Sequence, residues 1–254
     1  MPHDERPAPA NVYADDRRAG AYATLGFPGT YALAFRDLPA LIARHVTGAR
    51  ALDFGCGTGR STRFLRALGF ATVGVDISDA MLAHARAADP GGDYRRVDDG
   101  RLDAIAGERF DVALAAFTFD NIAGRDRKLA LFRALAATLS PGGRIVTLLS
   151  SPDIYLHEWA SFSTREFLAD NRRARSGDIV RITMLDVDDR RPVEDVLCTD
   201  ADYAAIHRDA GLAVLETLRP LGRPGEPQPW VSETTIAPWV LRVLAPAPGA
   251  AGAA

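Results

Sequence analysis

Residues 51–59 read ALDFGCGTG. A short apolar run ends in a stretch where Gly55, Gly57 and Gly59 alternate with other residues. A glycine at every second position suits neither a strand nor a helix, because glycine loses the most backbone freedom on ordering. Such a stretch marks a place where something must approach the backbone closely.

Outward from this stretch the chain alternates. LPALIARHVT (38–47) carries Leu38, Leu41, Ile42 and His45 on one helical face. ARALDFG is a short strand, and the helix from Ser61 to Leu68 is entered directly from the glycines. ATVGVDI (71–77) is a second strand, and Ser78 is a good N-cap for a helix over Ala80 to Ala87. DYRRVDD is a third strand. FDVALAAF (110–117) is apolar almost throughout, as a strand buried on both faces is. A helix from Lys128 to Leu139 is stopped by SPGG, and RIVTLLS (144–150) is a fifth strand. Strand and helix alternating in this way predict an α/β fold, a parallel sheet with helices on both faces.

The pattern breaks after 150. Residues 151–176 are polar and irregular. DIVRITMLDV and PVEDVLCT flank Asp188, Asp189, Arg190 and Arg191 as an antiparallel pair. A helix (Asp200 to Ala210), the strand AVLETLR, a Pro/Gly-rich loop and a last strand, IAPWVLRVL, follow.

The 254 residues are 47% hydrophobic and 25% charged, with a formal net charge of −3. That balance argues against an electrostatic binder of nucleic acid. Two cysteines, Cys56 and Cys198, suggest neither a disulfide framework nor a zinc site, so no metal is expected. No run approaches the roughly 18 apolar residues of a membrane span. With the polar, Pro-rich MPHDERPAPA in front, a reducing, cytoplasmic setting without membrane partners is expected.

In an open parallel sheet, ligands bind at the carboxyl ends of the strands, where the strand order reverses. Dinucleotide enzymes use G-x-G-x-x-G there, and Arg60 holds the place of that third glycine. The spacing found is G-x-G-x-G, preceded by Asp53. DFGCGTG, VDIS, FDVALAAF and LSPGGRIV, in this order and spacing, resemble the class I S-adenosylmethionine-dependent methyltransferases over residues 50–150.

The resemblance implies a Rossmann-like fold: a seven-stranded, mostly parallel sheet with an antiparallel last strand. The antiparallel pair then reads as an inserted β lid after the fifth strand. The cofactor implied is S-adenosylmethionine, and the reaction an in-line SN2 methyl transfer. Gly55 and Gly57 would admit the methionine and ribose, with Cys56 a small filler between them. Asp53 would help hold the ammonium, Arg36 would pair with the carboxylate, and Asp76 would take both ribose hydroxyls. Ile77 would pack on the adenine. Asp99, with Asp98 as second choice, would accept the adenine amine beside Gly100, and Phe117 would lie along the methionyl chain. The expected organisation is a disordered 1–10, one domain over 11–245 and a disordered tail over 246–254. The domain divides into an N-terminal lid (11–37), a cofactor-binding core (38–150), a substrate-lid insertion (151–199) and a C-terminal part (200–245).

The acceptor is read by elimination. FTFDNI stands where amino-methylating nucleic-acid enzymes carry Pro-Pro-aromatic, the Pro-Cys pair of cytosine enzymes is missing, and arsenite would need several paired thiols. A small organic molecule is expected, with a protein target as the lesser option, and a buried small acceptor needs aromatic walls with a few polar groups. Tyr22, Tyr31, Tyr155, Trp159 and Trp230 are the candidate walls, and Asp120 and Asn121 the candidates for orienting the acceptor. A base is needed only for a poor nucleophile. His157 is the first candidate, because its reference pKa lies near neutrality, and Glu158 the second. Three alternatives stand beside this reading: a nicotinamide-dependent oxidoreductase on a similar sheet, a non-catalytic S-adenosylmethionine-binding regulator, and an enzyme using the sulfonium without methyl transfer.

Overall fold

The structure, a computed structural model, describes Gly20, Gly26 and residues 28–248. Tyr22, the first ten residues and the last six lie outside the described residues. Two short helices, α1 (Gly29–Arg36) and α2 (Leu38–His45), precede β1 (Arg50–Phe54). Then come α3 (Arg60–Ala67), β2 (Ala71–Asp76), α4 (Asp79–Ala88), β3 (Asp93–Arg96), β4 (Phe110–Ala116), α5 (Arg125–Ala137) and β5 (Leu139–Ser150). Ser78 caps α4 by accepting a bond from Met81 N at 3.3 Å. α2 buries Leu38, Leu41 and Ile42, while His45 turns out of that face to meet Glu216 at 2.7 Å.

SPGG does not end the α5 region in a free turn. It forms the first half of β5, where the ladder steps from Phe110↔Leu139 to Val112↔Arg144. This irregularity absorbs the Pro-Gly-Gly that reads locally as a breaker.

The inserted segment holds β6 (Phe162–Ser163), a single helical turn α6 (Leu168–Asn171), β7 (Ile179–Met184) and β8 (Val193–Val196). α7 (Asp200–Asp209), β9 (Leu212–Leu218) and β10 (Trp239–Pro246) complete the chain. The main sheet runs β3-β2-β1-β4-β5-β10-β9, with β10 antiparallel to both neighbours. β6-β7-β8 form a separate antiparallel sheet.

β4 distributes its side chains between two cores. Val112 and Leu114 face one, with α2, Leu65 of α3 and Trp239. Ala113 and Ala115 face the other, with Phe132 and Leu135 of α5 and Tyr203 and Ile206 of α7. The inserted sheet belongs to the first core: Ile154, Trp159, Phe162, Val180 and Ile182 pack in one cluster with Tyr31 and Trp239. Glu233, fully buried, clasps two distant segments to its own loop there. Its carboxylate accepts bonds from Thr30 Oγ1 at 2.6 Å, Ala160 N at 2.8 Å and Val231 N at 2.8 Å.

Candidate active site

Strand order reverses between β1 and β4, so a crevice opens at their carboxyl ends. A cavity of about 380 Å³ lies there. Its floor is the turn from β1 into α3. Gly55, Gly57 and Gly59 all sit at positive φ, +71°, +53° and +76°. Two of them are fixed by neighbours. A Cβ on Gly55 would stand 2.3 Å from Thr118 Cγ2, and one on Gly59 would stand 2.5 Å from the Tyr94 hydroxyl. Gly57 is different: a Cβ there would meet only Met81 Cε, at 3.4 Å, and both residues line the cavity. The missing side chain of Gly57 therefore leaves room on the cavity side.

Asp76, at the end of β2, closes this floor. Its Oδ2 accepts a bond from Gly57 N and its Oδ1 from Ser78 N, each at 2.8 Å. Burial raises its pKa above the ordinary carboxylate value, against the pull of those amides. Ile77 and the strip Asp98, Asp99 and Gly100 continue the same wall. Asp98 pairs with Arg96 at 2.8 Å and Asp99 with Arg127.

The opposite wall is the exit of β4. Phe117 has φ +61°, the one non-glycine residue in the left-handed region among those described. A bulky residue held there is strained, and such strain gathers at functional sites. Phe117 N donates to Leu148 O at 2.9 Å, and its ring lies 4.7 Å from that of Trp239. The turn sends Thr118 across to Phe54 O at 2.8 Å and lets Asn121 Nδ2 reach back to Phe117 O at 3.2 Å.

A family profile described as a methyltransferase domain matches residues 52–145. The N-demethylindolmycin N-methyltransferase of Streptomyces griseus is 28% identical over 57% of this chain and 60% of its own length. A ubiquinone biosynthesis O-methyltransferase of Cereibacter sphaeroides is 32% identical over 61% of this chain and 67% of its own. The chain belongs to the class I S-adenosylmethionine-dependent methyltransferases. The chain thus spans about two thirds or less of these two relatives. The solved structure of the CcbJ methyltransferase from Streptomyces caelestis has the same fold: TM-score 0.64 at 20% identity, covering 92% of this chain and 98% of that one.

S-adenosylmethionine, the cofactor of the family, is a zwitterion carrying a nucleoside, and the residues of this methyltransferase fold fit it. The bare face of Gly57 admits a ligand, and Asp76 and the Asp98–Gly100 strip offer acceptors to a nucleoside. Behind the turn, Asp53 is fully buried. Its Oδ2 takes bonds from Ser61 and Thr62 at 2.7 and 2.6 Å, while its Oδ1 has no partner among the described residues. Burial pushes the Asp53 pKa up to about 6, the behaviour of a carboxylate short of a cation. Asp53 does not itself line the cavity, nor does Arg36. The Arg36 guanidinium is spent on Asp37 and Glu226, both at 2.7 Å. Arg60, Arg101 and Arg127 do line the cavity; Arg60 Nη1 donates to Gly26 O at 2.7 Å, and its guanidinium lies 4.9 Å from the Tyr31 ring.

Of the other expected residues, the structure brings Gly55, Cys56, Gly57, Asp76, Ile77, Asp99, Gly100, Phe117 and Asn121 to the cavity. It leaves the expected base and most of the expected acceptor walls outside it. His157 stands with its ring 6.2 Å from that of Trp159 and does not line the cavity. Glu158 is a loop tie, accepting from Thr164 N at 2.8 Å and Ser163 Oγ at 3.0 Å and pairing with Arg165 at 3.1 Å. Trp159 is 1% exposed, its indole N–H given to Ile154 O at 2.8 Å. Tyr31 is a core ring between Phe162 and Trp239. Trp230 gives its N–H to Glu226 at 3.2 Å, away from the cavity.

Asp120 and Tyr155 belong to a buried polar cluster behind the wall. Asp120 Oδ2 accepts from Ser150 N at 3.0 Å and Ser150 Oγ at 2.9 Å, and burial pushes its pKa up to about 6 despite the nearby Lys128 ammonium. Lys128 donates to Phe119 O, and Tyr155 donates to Asp195 Oδ2 at 3.0 Å. The cluster stitches the β4 exit to α5, β5 and β8. Arg60, Thr118, Met81 and Glu194 line the cavity without having been assigned from the sequence. Only Arg60 carried a signal, as the first residue after the last glycine.

Proposed function

We propose that this chain transfers the methyl group of S-adenosylmethionine to a small organic molecule by in-line displacement. The observation that carries the acceptor class is the cavity. Its volume of about 380 Å³ falls in the range of pockets for small ligands, about 300–1,000 Å³, and the inserted sheet contributes to its wall through Glu194. The two relatives are named for N-demethylindolmycin and for ubiquinone biosynthesis, in keeping with this reading.

When bound, S-adenosylmethionine supplies a methyl group activated by a sulfonium. The residues divide the rest of the work. Asp76 takes the ribose hydroxyls, Ile77 and the Asp99–Gly100 strip hold the adenine, and Gly57 makes room for the chain between them. Arg60, rather than Arg36, faces the carboxylate. Asp53 acts on the ammonium through the turn, its open Oδ1 being the reason. Phe35 and Phe117 exclude water from the acceptor side, and Asn121 orients the acceptor. Alignment and water exclusion are what a reaction of an already activated group needs.

Calorimetry with S-adenosylhomocysteine, S-adenosylmethionine and the nicotinamide dinucleotides tests the cofactor, and dinucleotide binding without an adenosylhomocysteine signal would overturn it. Labelled S-adenosylmethionine with cell-extract small molecules, RNA and DNA tests the acceptor. Label is expected in the small-molecule fraction; label in polynucleotide would sink the acceptor class.

A further inference from the structure

Among the residues that line the cavity, Glu194 alone comes from the inserted sheet. Strand alternation sets its direction: Val193 and Asp195 on either side of it in β8 are buried, 6% and 5% exposed. Arg181, its partner across the ladder, grips Oε1 with two bonds, Nε at 2.9 Å and Nη2 at 2.8 Å. Oε2 has no hydrogen-bond partner among the described residues. β8 packs against the helical turn Phe119–Asn121, so Asn121 shares this end of the cavity. The Phe117 carbonyl can only accept, which assigns Nδ2 to it and leaves Asn121 Oδ1 as a second open acceptor.

A ligand here must donate, and donate more than once. Of the cavity's cations, Arg127 is engaged by Asp99 and Arg101 by Asp103 at 2.5 Å, and Arg60 is given to the cofactor carboxylate in the reading above. A carboxylate has no proton to give the open Oε2 and would add a second negative charge beside a Glu194 that has one cationic partner, and a phenol has one proton to give. A primary ammonium has three and a secondary one two, and Phe35 and Phe117 line the same cavity, aromatic rings being attractive to cations.

We propose that the methyl acceptor is an amine, bound as its ammonium by Glu194 with Asn121 as second acceptor, so that Glu194 determines acceptor specificity. This rests on the methyltransferase reading above. The balance is simple. The ammonium sheds one proton to water past the half-exposed carboxylate. The nitrogen lone pair then forms the N–C bond to the methyl carbon while the C–S bond breaks, its electron pair staying on sulfur. The products are a methylammonium ion and S-adenosylhomocysteine.

The test uses the full chain in three arms. Calorimetry with S-adenosylhomocysteine comes first; failure there would sink the methyltransferase reading itself. With S-adenosylhomocysteine saturating, benzylamine and tryptamine are then compared with benzyl alcohol, tryptophol and benzoate. The amines are expected to bind at least tenfold more tightly than the neutral isosteres and benzoate. Equal or reversed preference, or amines not binding while S-adenosylhomocysteine does, would overturn the proposal. In the third arm, Glu194→Gln should cost the amines at least tenfold in affinity and leave S-adenosylhomocysteine within twofold, and in turnover the loss should fall on KM rather than kcat. Unchanged amine affinity in a folded Glu194→Gln protein would overturn it. The wild-type selectivity decides the matter even where that variant does not fold.

Discussion

Two sides of the cavity are built from different material. Along the ends of β1 and β2 the surface is largely backbone: a run of left-handed glycines, amide groups and one carboxylate that binds those amides. Across from it, the inserted segment has turned Trp159, Phe162, Ile182 and Tyr155 inward and shows the cavity a single charged side chain, Glu194. The first side is shaped for a ligand and stabilises little by itself. The second is a piece of core that happens to overhang a ligand. Substitutions on the floor should therefore change binding, and substitutions in the roof, Glu194 apart, should change stability.

The largest expected effect is on the floor. Asp76→Ala removes two charge-assisted bonds to a ribose, worth about 1.5–3 kcal/mol each, so affinity for S-adenosylhomocysteine should drop roughly 10²–10⁴-fold. Calorimetry reads this, and a loss under threefold would show that Asp76 holds the loop and not the ligand.

Next is a pH effect behind the floor. Burial raises Asp53 from 3.8 to about 6 in the folded protein, so the native state binds that proton more tightly than the unfolded chain. The resulting stabilisation is present below about pH 4 and is lost as pH rises through about 6. Asn titrates nowhere in this window. The stability of Asp53→Asn relative to wild type should thus rise by roughly 2–2.5 kcal/mol between pH 4 and 7. Urea unfolding at a series of pH values measures it, and a flat difference would place the proton elsewhere.

In the roof, Tyr155→Phe leaves the Asp195 carboxylate without its phenol donor and should cost about 1–3 kcal/mol of stability. Affinity for S-adenosylhomocysteine should stay within threefold; a larger change would make the roof part of the ligand site. The smallest effect belongs to His157→Ala. Its ring does not line the cavity, so turnover should stay within about twofold and stability within ±0.5 kcal/mol. A fall of roughly 10²–10⁴ in turnover, the size of a lost general base, would restore His157 to the chemistry.

The contrast also explains what could be read from the residues. A tight turn declares itself locally: Gly55, Gly57 and Gly59 need their conformations whatever surrounds them, and Asp76 is placed by ending its strand. The alternation over β1 to β5 likewise follows from local periodicity. The direction an aromatic ring faces does not. Tyr31, Trp159 and Trp239 join one cluster because residues far apart in the chain meet there, and nothing in SPDIYLHEWASFS says which of its rings point inward. Arg60 escaped for the same reason: its stacking partners, Tyr31 and Phe35, come from α1. SPGG misled in the other direction, since a local stop signal was overridden by the ladder with β4.

The Glu233 clasp has a consequence in time. Its bonds join residues 203 and 73 positions apart in the chain, and closing such long loops costs entropy that only a nearly complete structure returns. The ladders from β1 to β5 join segments much closer in sequence than Thr30 and Glu233 are, and can assemble before that longest loop closes. Thr30 is therefore expected to meet Glu233 after the folding barrier is crossed, and the clasp to act as a brake on opening rather than a guide to closing. Stopped-flow measurements on Glu233→Gln should find faster unfolding with the refolding rate unchanged. The lifetime of the closed cavity, more than the speed at which it forms, is set by one carboxylate far from the glycines.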